Sequence, residues 1–243
     1  MRAPTLCVLA IGLSSLATAA PINQVGYGSL TGTQIITFDD VPGGGAPGTN
    51  YNAIFESGNT AFAERFVGQT RTTSGTFDAL SGTPAGPLAL QVGAPGQNLN
   101  IFVQSTQVLT GLGPVGFPDF DAIGEGSFAL LFDADQSEFG FQLVGGDGGT
   151  AFVDFFQRDG TLIQSITLGS LANAFYGFSR DAGVKDIAGI SIYNSDAAGI
   201  GFDNLKHDVA GVPDNGIPEP ATSALIGIGL GALALARRRS KNA

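Results

Sequence analysis

An all-β domain, a sandwich or a barrel, is the fold class this sequence predicts, and three observations predict it. Glycine supplies 37 of 243 residues, about twice its usual share of ~7%. These glycines punctuate short apolar runs about every 8 to 12 residues, the spacing of strands joined by turns. The runs alternate apolar and polar with period two, which puts one face of each strand on a core. None with a helical period exceeds two turns.

The N-terminus has a different composition. Met1-Arg2 is a short positive region, Leu6 to Leu16 is apolar, and Ala17-Thr18-Ala19-Ala20 offers small residues at a cleavage site. An apolar stretch this short does not reach the ~20 residues that a membrane-spanning helix needs. Residues 1–20 therefore predict a signal peptide handled by the Sec translocon and signal peptidase, with cleavage after Ala19 or Ala20. The single cysteine, Cys7, lies inside it, so the expected mature chain has neither disulfides nor thiol chemistry. Residues 21–210 are long enough to bury one core without such staples.

Eight alternating runs are the expected strands: Ile36-Phe38, Leu88-Leu90-Val92, Leu99-Ile101-Val103, Phe128-Leu130-Phe132, Phe139-Phe141-Leu143, Val153-Phe155, Leu162-Gln164-Ile166-Leu168 and Ile190-Ile192. Thr60 to Val67, with Phe62 and Phe66 four apart, reads as a short helix or a strand. Phe152–Gln157 and Leu162–Leu168 flank Asp159-Gly160, which predicts a hairpin closed by a type I′ turn. Val41–Asn50 and Thr110–Phe120 are loops rich in turn residues, and residues 211–217 read as a linker.

Charge narrows the function classes. The chain has 11 Lys+Arg and 21 Asp+Glu. Setting aside Arg2, Arg237, Arg238, Arg239, Lys241 and Glu219 leaves 6 basic and 20 acidic residues, with no basic patch for nucleic acid or an anionic membrane. With one histidine, His207, a Ser-His-Asp triad has a single possible base, and His207 near the end of the last strand is expected to face solvent. There is no G-x-S-x-G elbow, and Gly111–Gly116 fits G-x-G-x-x-G only formally, interrupted by Pro114. The expectation is a non-catalytic protein. A hydrolase of matrix glycans is the alternative, since two carboxylates suffice for that chemistry. The absence of tryptophan and the four tyrosines disfavour a strong aromatic sugar site; Tyr193, outward if Ile190 and Ile192 are inward, is the best single candidate.

Carboxylates in surplus suggest calcium, which takes six to eight oxygen ligands. Phe132–Gly140 brings Asp133, Asp135 and Glu138 together but departs from an EF-hand loop at the sixth position, and reads as a β-turn. Thr37–Val41 ("TFDDV") and Gly199–Leu205 ("GIGFDNL") resemble stretches near the two ends of calcium-containing jelly-roll domains. That resemblance implies a jelly-roll-like sandwich whose two terminal strands are neighbours, with Asp39, Asp40 and Asp203 as calcium ligands and Asn204 as a helper. With Phe202 inward, a bulge at Asp203-Asn204 would return Leu205 to the core and aim the carboxylate sideways.

The C-terminus reads Pro218-Glu219-Pro220, then apolar Ala221 to Ala236, then Arg237-Arg238-Arg239. As a helix the apolar run measures about 24 Å at ~1.5 Å per residue, slightly short of a ~30 Å bilayer core. The arginines would stay cytoplasmic. These parts, in this order, resemble the PEP-CTERM sorting signal of bacteria that make exopolysaccharide. The resemblance implies recognition by an exosortase at the membrane, cleavage near Pro218-Glu219-Pro220 and release to the cell surface or extracellular matrix. A permanent single-span inner-membrane anchor is the other reading. Together with the acidity and the fold class, the sorting signal suggests a surface or matrix protein associated with exopolysaccharide.

Overall fold

The structure, a computed structural model, describes residues 20–208. Eighteen strands account for nearly all of its regular structure. The first nine are β1 (Ile22–Val25), β2 (Gln34–Ile36), β3 (Thr49–Tyr51), β4 (Phe55–Ser57), β5 (Thr60–Ala63), β6 (Arg65–Phe66), β7 (Thr70–Ser74), β8 (Phe77–Ser81) and β9 (Leu90–Gln91). The longer ones follow: β10 (Leu99–Val103), β11 (Gln107–Gly111), β12 (Phe128–Gln136), β13 (Glu138–Gly145), β14 (Thr150–Phe156), β15 (Leu162–Gly169), β16 (Ala174–Arg180), β17 (Ile187–Asn194) and β18 (Ile200–His207).

As the alternation predicts, the fold is an antiparallel sandwich. One sheet runs β1-β16-β13-β18-β11-β10-β3, with β2 also paired to β18; the other runs β15-β14-β17-β12-β5-β4. Their inner faces meet through buried Phe128, Phe132, Phe139, Phe141, Phe155, Phe178 and Phe202. Phe128 of β12 packs edge-on against Phe202 of β18 at 4.6 Å, and Phe155 of β14 against Phe178 of β16 at 5.3 Å. Each buried ring contributes about 1.5–3 kcal/mol of transfer free energy plus the preference of aromatic pairs for tilted contact.

One open alternative is decided and two local expectations are corrected. Thr60–Val67 is strand, split into β5 and β6, because Phe62 enters the main core while Phe66 turns to a second cluster. Phe38 lies outside β2, with φ +59 in the following turn. The β14–β15 hairpin forms, but not through a type I′ turn. Gly160 alone has positive φ (+87), its N–H donates to Gln157 O at 2.9 Å, and the register shifts at Phe155/Phe156. A longer loop with glycine in the left-handed position is the next favoured way to close a hairpin, and here it lets the Arg158 carbonyl accept from Leu88 N–H.

That contact belongs to a strap, residues 64–98, which crosses the outer face of the second sheet. Phe66 and Leu88 pack on Ala129, Phe156 and Ala188. Gly189 makes room for them: a Cβ there would lie 2.6 Å from Phe66 Cζ. Beside this cluster the strap carries a charge network. Arg71 Nη1 lies 2.9 Å from Glu64 Oε1 and 3.5 Å from Asp78 Oδ1, Arg65 also meets Glu64, and both carboxylates are fully buried. Removing one member leaves an uncompensated buried charge. Arg71→Ala is therefore expected to cost about 3–5 kcal/mol in denaturant unfolding, whereas Arg158→Ala, which breaks the more exposed pair with Asp135, should cost about 1 kcal/mol or less. Equal losses for the two would contradict this account of the strap.

Candidate functional site

The terminal stretches meet as expected: β2 pairs with β18, Ile36 opposite Leu205. The bulge is there as well. Along β18 the partners of β13 jump from Asp203 opposite Gln142 to Lys206 opposite Gly140, and Asn204 adopts φ +50. The extra residue keeps both Phe202 and Leu205 in the core and turns the Asp203 carboxylate onto the outer face of the first sheet.

Asp203 is 2% exposed. Its Oδ1 accepts from Asn204 N–H, while Oδ2 accepts from Thr106 Oγ1 at 2.9 Å and Asn204 Nδ2 at 3.1 Å. Asn204 Nδ2 also donates to Gln142 Oε1 at 2.8 Å. Burial pushes the Asp203 carboxyl above its ordinary pKa; the bonds from Asn204 and Thr106 oppose this, and the charge of Asp39 adds to it. Asp39 lies on the exposed turn after β2, where Thr37 Oγ1 donates to its Oδ2. Asp40 lines the same hollow as Asp39, but its carboxylate is engaged elsewhere, accepting from Ser57 Oγ and from Gly58 N–H at 2.9 Å. Burial raises the Asp40 pKa, and these bonds together outweigh it and hold the group below the ordinary carboxylate value.

For a cation this region offers the Asp203 carboxylate with Thr106, Asn204 and Gln142 around it, and the Asp39 carboxylate on the turn after the neighbouring strand β2. The donors are all hard oxygens, the chemistry that suits calcium rather than a softer metal. Among the described residues no three acidic, histidine or cysteine side chains form a metal cluster. Asp133, Asp135 and Glu138 are dispersed: Asp133 is exposed, Asp135 pairs with Arg158, and Glu138 accepts from Gly32 N–H and Thr31 Oγ1.

Next to Asp203 lies an aromatic surface that sequence reasoning missed. Phe175 of β16, cross-strand partner of Gln142, is 54% exposed. Its ring sits 5.0 Å from that of Tyr27. The Tyr27 ring and Leu30 come close over Gly140, where a Cβ would lie 2.9 Å from Tyr27 Cδ2, and the Tyr27 backbone passes Gly177, where a Cβ would lie 3.0 Å from its nitrogen. The Tyr27 hydroxyl donates to Asn204 O at 2.8 Å, and Lys206 Nζ stands 5.6 Å from its ring centre. The signal available in the sequence was the pair of glycines in register on adjacent strands, which marks a close approach.

Tyr193 points outward as expected, since Ile190 and Ile192 are buried. It stacks on Phe152 at 4.7 Å and 17°, on the outer face of the second sheet. Burial raises its pKa and Asp154 adds to this. His207 corrects the sequence reading: it is buried, 2% exposed, against Phe132, with Nδ1 3.2 Å from Gln136 Oε1. Burial depresses its pKa, partly offset by Asp208. The unfolded chain binds that proton near pH 6.5 and the folded one only at lower pH, so stability is full above about 6.5 and falls as the pH drops below it. Thermal unfolding from pH 7 to 5 is expected to show this decline, and His207→Gln should remove it; an unchanged profile would contradict the buried neutral imidazole.

The sorting residues Pro218, Glu219, Pro220, Arg237, Arg238 and Arg239, the apolar run 221–236, the linker 211–217 and Ala19 at the cleavage site lie outside the described residues, and strand β1 begins two residues after Ala20. Among the described residues no helix is long and apolar enough to cross a membrane. No curated protein matches the chain. Residues 216–240, however, match the model of the PEP-CTERM protein-sorting motif. The chain therefore carries a PEP-CTERM motif behind its β-sandwich, the mark of an exported protein that is held at the membrane while an exosortase sorts it.

Proposed function

We propose that this is a non-catalytic cell-surface or matrix protein whose sandwich associates with exopolysaccharide through the outer face of its first sheet. One observation carries the reading: an exposed aromatic, Phe175, shares a row with Gln142 and Asp203 across three adjacent strands. An apolar ring beside a half-buried amide, Gln142, is the chemistry that receives a sugar, with its C–H face on the ring and a hydroxyl on the amide, while the buried Asp203 carboxylate backs that row. Calcium held between Asp39 and Asp203 would relieve their repulsion and could share its remaining coordination positions with sugar hydroxyls.

The hydrolase alternative has less support. It needs a carboxylate pair open to a sugar ring, whereas Glu64 and Asp78, the acids held closest to a shared partner, are fully buried under the strap. Residues 1–20 fit a signal peptide in this reading, and removal of the tail leads to the surface or matrix.

Retention of the exported protein on the producing organism's exopolysaccharide, with calcium and then with chelator, tests the binding reading. Retention is expected to fall on chelation, and Asp203→Asn or Asp39→Asn should abolish the calcium response while Phe175→Ala weakens binding by up to about tenfold. No retention in either condition would overturn it. The raised pKa of Asp203 also fixes a sign: without calcium its ionisation costs stability as the pH rises, so added calcium should raise the Tm more at pH 7.5 than at pH 4.5. Mass spectrometry of the exported chain tests the sorting route, with loss of Arg237–Arg239 expected; an intact C-terminus would favour the single-span anchor.

A further inference from the structure

The four ends of the two sheets are treated differently. Strands β1, β3 and β4 have four, three and three residues, and so short an edge offers little backbone to a passing strand. The fourth edge, β15, has eight residues, Leu-Ile-Gln-Ser-Ile-Thr-Leu-Gly, and among the described residues pairs only with β14. It contains no proline and no charged residue, although the chain as a whole carries 21 acidic ones. Charge, proline, brevity and bulges are the usual protections of an edge. On its free side β15 has none of the first three, and the bulge at its start faces β14.

The strand is also held ready. Gln164 reaches across the open side of the sandwich, its Oε1 accepting from Ile22 N–H at 2.8 Å and its Nε2 donating to Ile22 O at 3.1 Å. This double clip to β1 keeps β15 extended and spares an incoming strand the cost of ordering it. The side chains on its outer face, Ser165 and Thr167, are exposed, while Ile163 and Ile166 pack on the core.

We infer that β15 is a self-pairing edge: two copies of this chain join β15 to β15 in antiparallel register, making one continuous sheet across the dimer. A second copy fits because a twofold axis sets the same uncharged stretch against itself. Hydroxyl meets hydroxyl and aliphatic meets aliphatic, with no carboxylate brought opposite another. An acidic partner of different sequence would gain nothing from this neutrality. The inference stands apart from glycan binding, which uses the other sheet, though pairing would give a surface-bound glycan two sites per particle.

Sedimentation of the exported protein over a range of concentrations, with backbone amide exchange on the same samples, is the test. A monomer–dimer equilibrium is expected, with amides of Leu162–Gly169 gaining protection in the dimer. The double variant Ser165→Lys/Thr167→Lys, which faces like charges across the junction, is expected to stay monomeric while its core amides, Phe128–Phe132 and Phe139–Leu143, keep their protection. A wild type that is monomeric throughout, a dimer that survives the double variant, or protection gained elsewhere but not on β15 would each overturn the inference. Glycan retention by the double variant separates the two ideas, since loss of pairing should leave single-site binding intact.

Discussion

A ladder of phenylalanine rings joins the two sheets, and the rest of the structure is arranged around keeping it intact. It runs from Phe128 to Phe202 at 4.6 Å, to Phe141 at 5.0 Å, to Phe178 at 6.0 Å and on to Phe155 at 5.3 Å, passing through β12, β18, β13, β16 and β14. The chain has no tryptophan and its one cysteine lies at position 7, so this packing takes the place of a staple. The ladder also dictates the polar surface. Phe202 and Leu205 both enter the core although they are an odd number of residues apart, and a strand of period two allows that only with an extra residue between them. That residue is the Asp203-Asn204 bulge. The position of the Asp203 carboxylate is thus a consequence of the register that the core demands.

The two outer faces have diverged. The strap covers the second sheet's outer face around Ala129, Phe156 and Ala188, where Phe66 and Leu88 leave no room for a side chain at position 189. The first sheet's outer face carries relief of its own, with Leu30 and the Tyr27 ring over Gly140, the Tyr27 backbone along Gly177 and the exposed Phe175 beside the Tyr27 ring. Aromatic and hydrogen-bonding groups therefore collect on the sheet that carries the bulge.

The alternation of Phe128-Leu130-Phe132 and Phe139-Phe141-Leu143 was enough to read both central strands, and the parity of Phe202 and Leu205 was enough to read the bulge. The adjacency of the two terminal strands, β2 and β18, was legible from the likeness of their two stretches to jelly-roll ends. Asp40 was not separable from Asp39 in sequence, since its fate depends on Ser57 and Gly58, a turn reached only through the fold. His207 misled because strand ends are usually exposed; the contacts with Phe132 and Gln136 that bury it come from the other sheet. The strap was invisible for a different reason. Its strands are two to five residues long and lean on a surface rather than alternate across one. Phe175 was lost among the 18 phenylalanines, since composition gives no sign of which of them the sheets turn outward.

The claim on which the functional account rests is that the outer face of the first sheet is the binding surface. Backbone chemical-shift mapping of the exported protein, titrated with fragments of the exopolysaccharide in the presence of calcium, addresses it most directly. The account predicts shifts centred on Phe175, Gln142, Asp203 and Asn204 and reaching Asp39. Shifts gathered instead around Phe152 and Tyr193 on the opposite sheet, or none at saturating fragment, would contradict it.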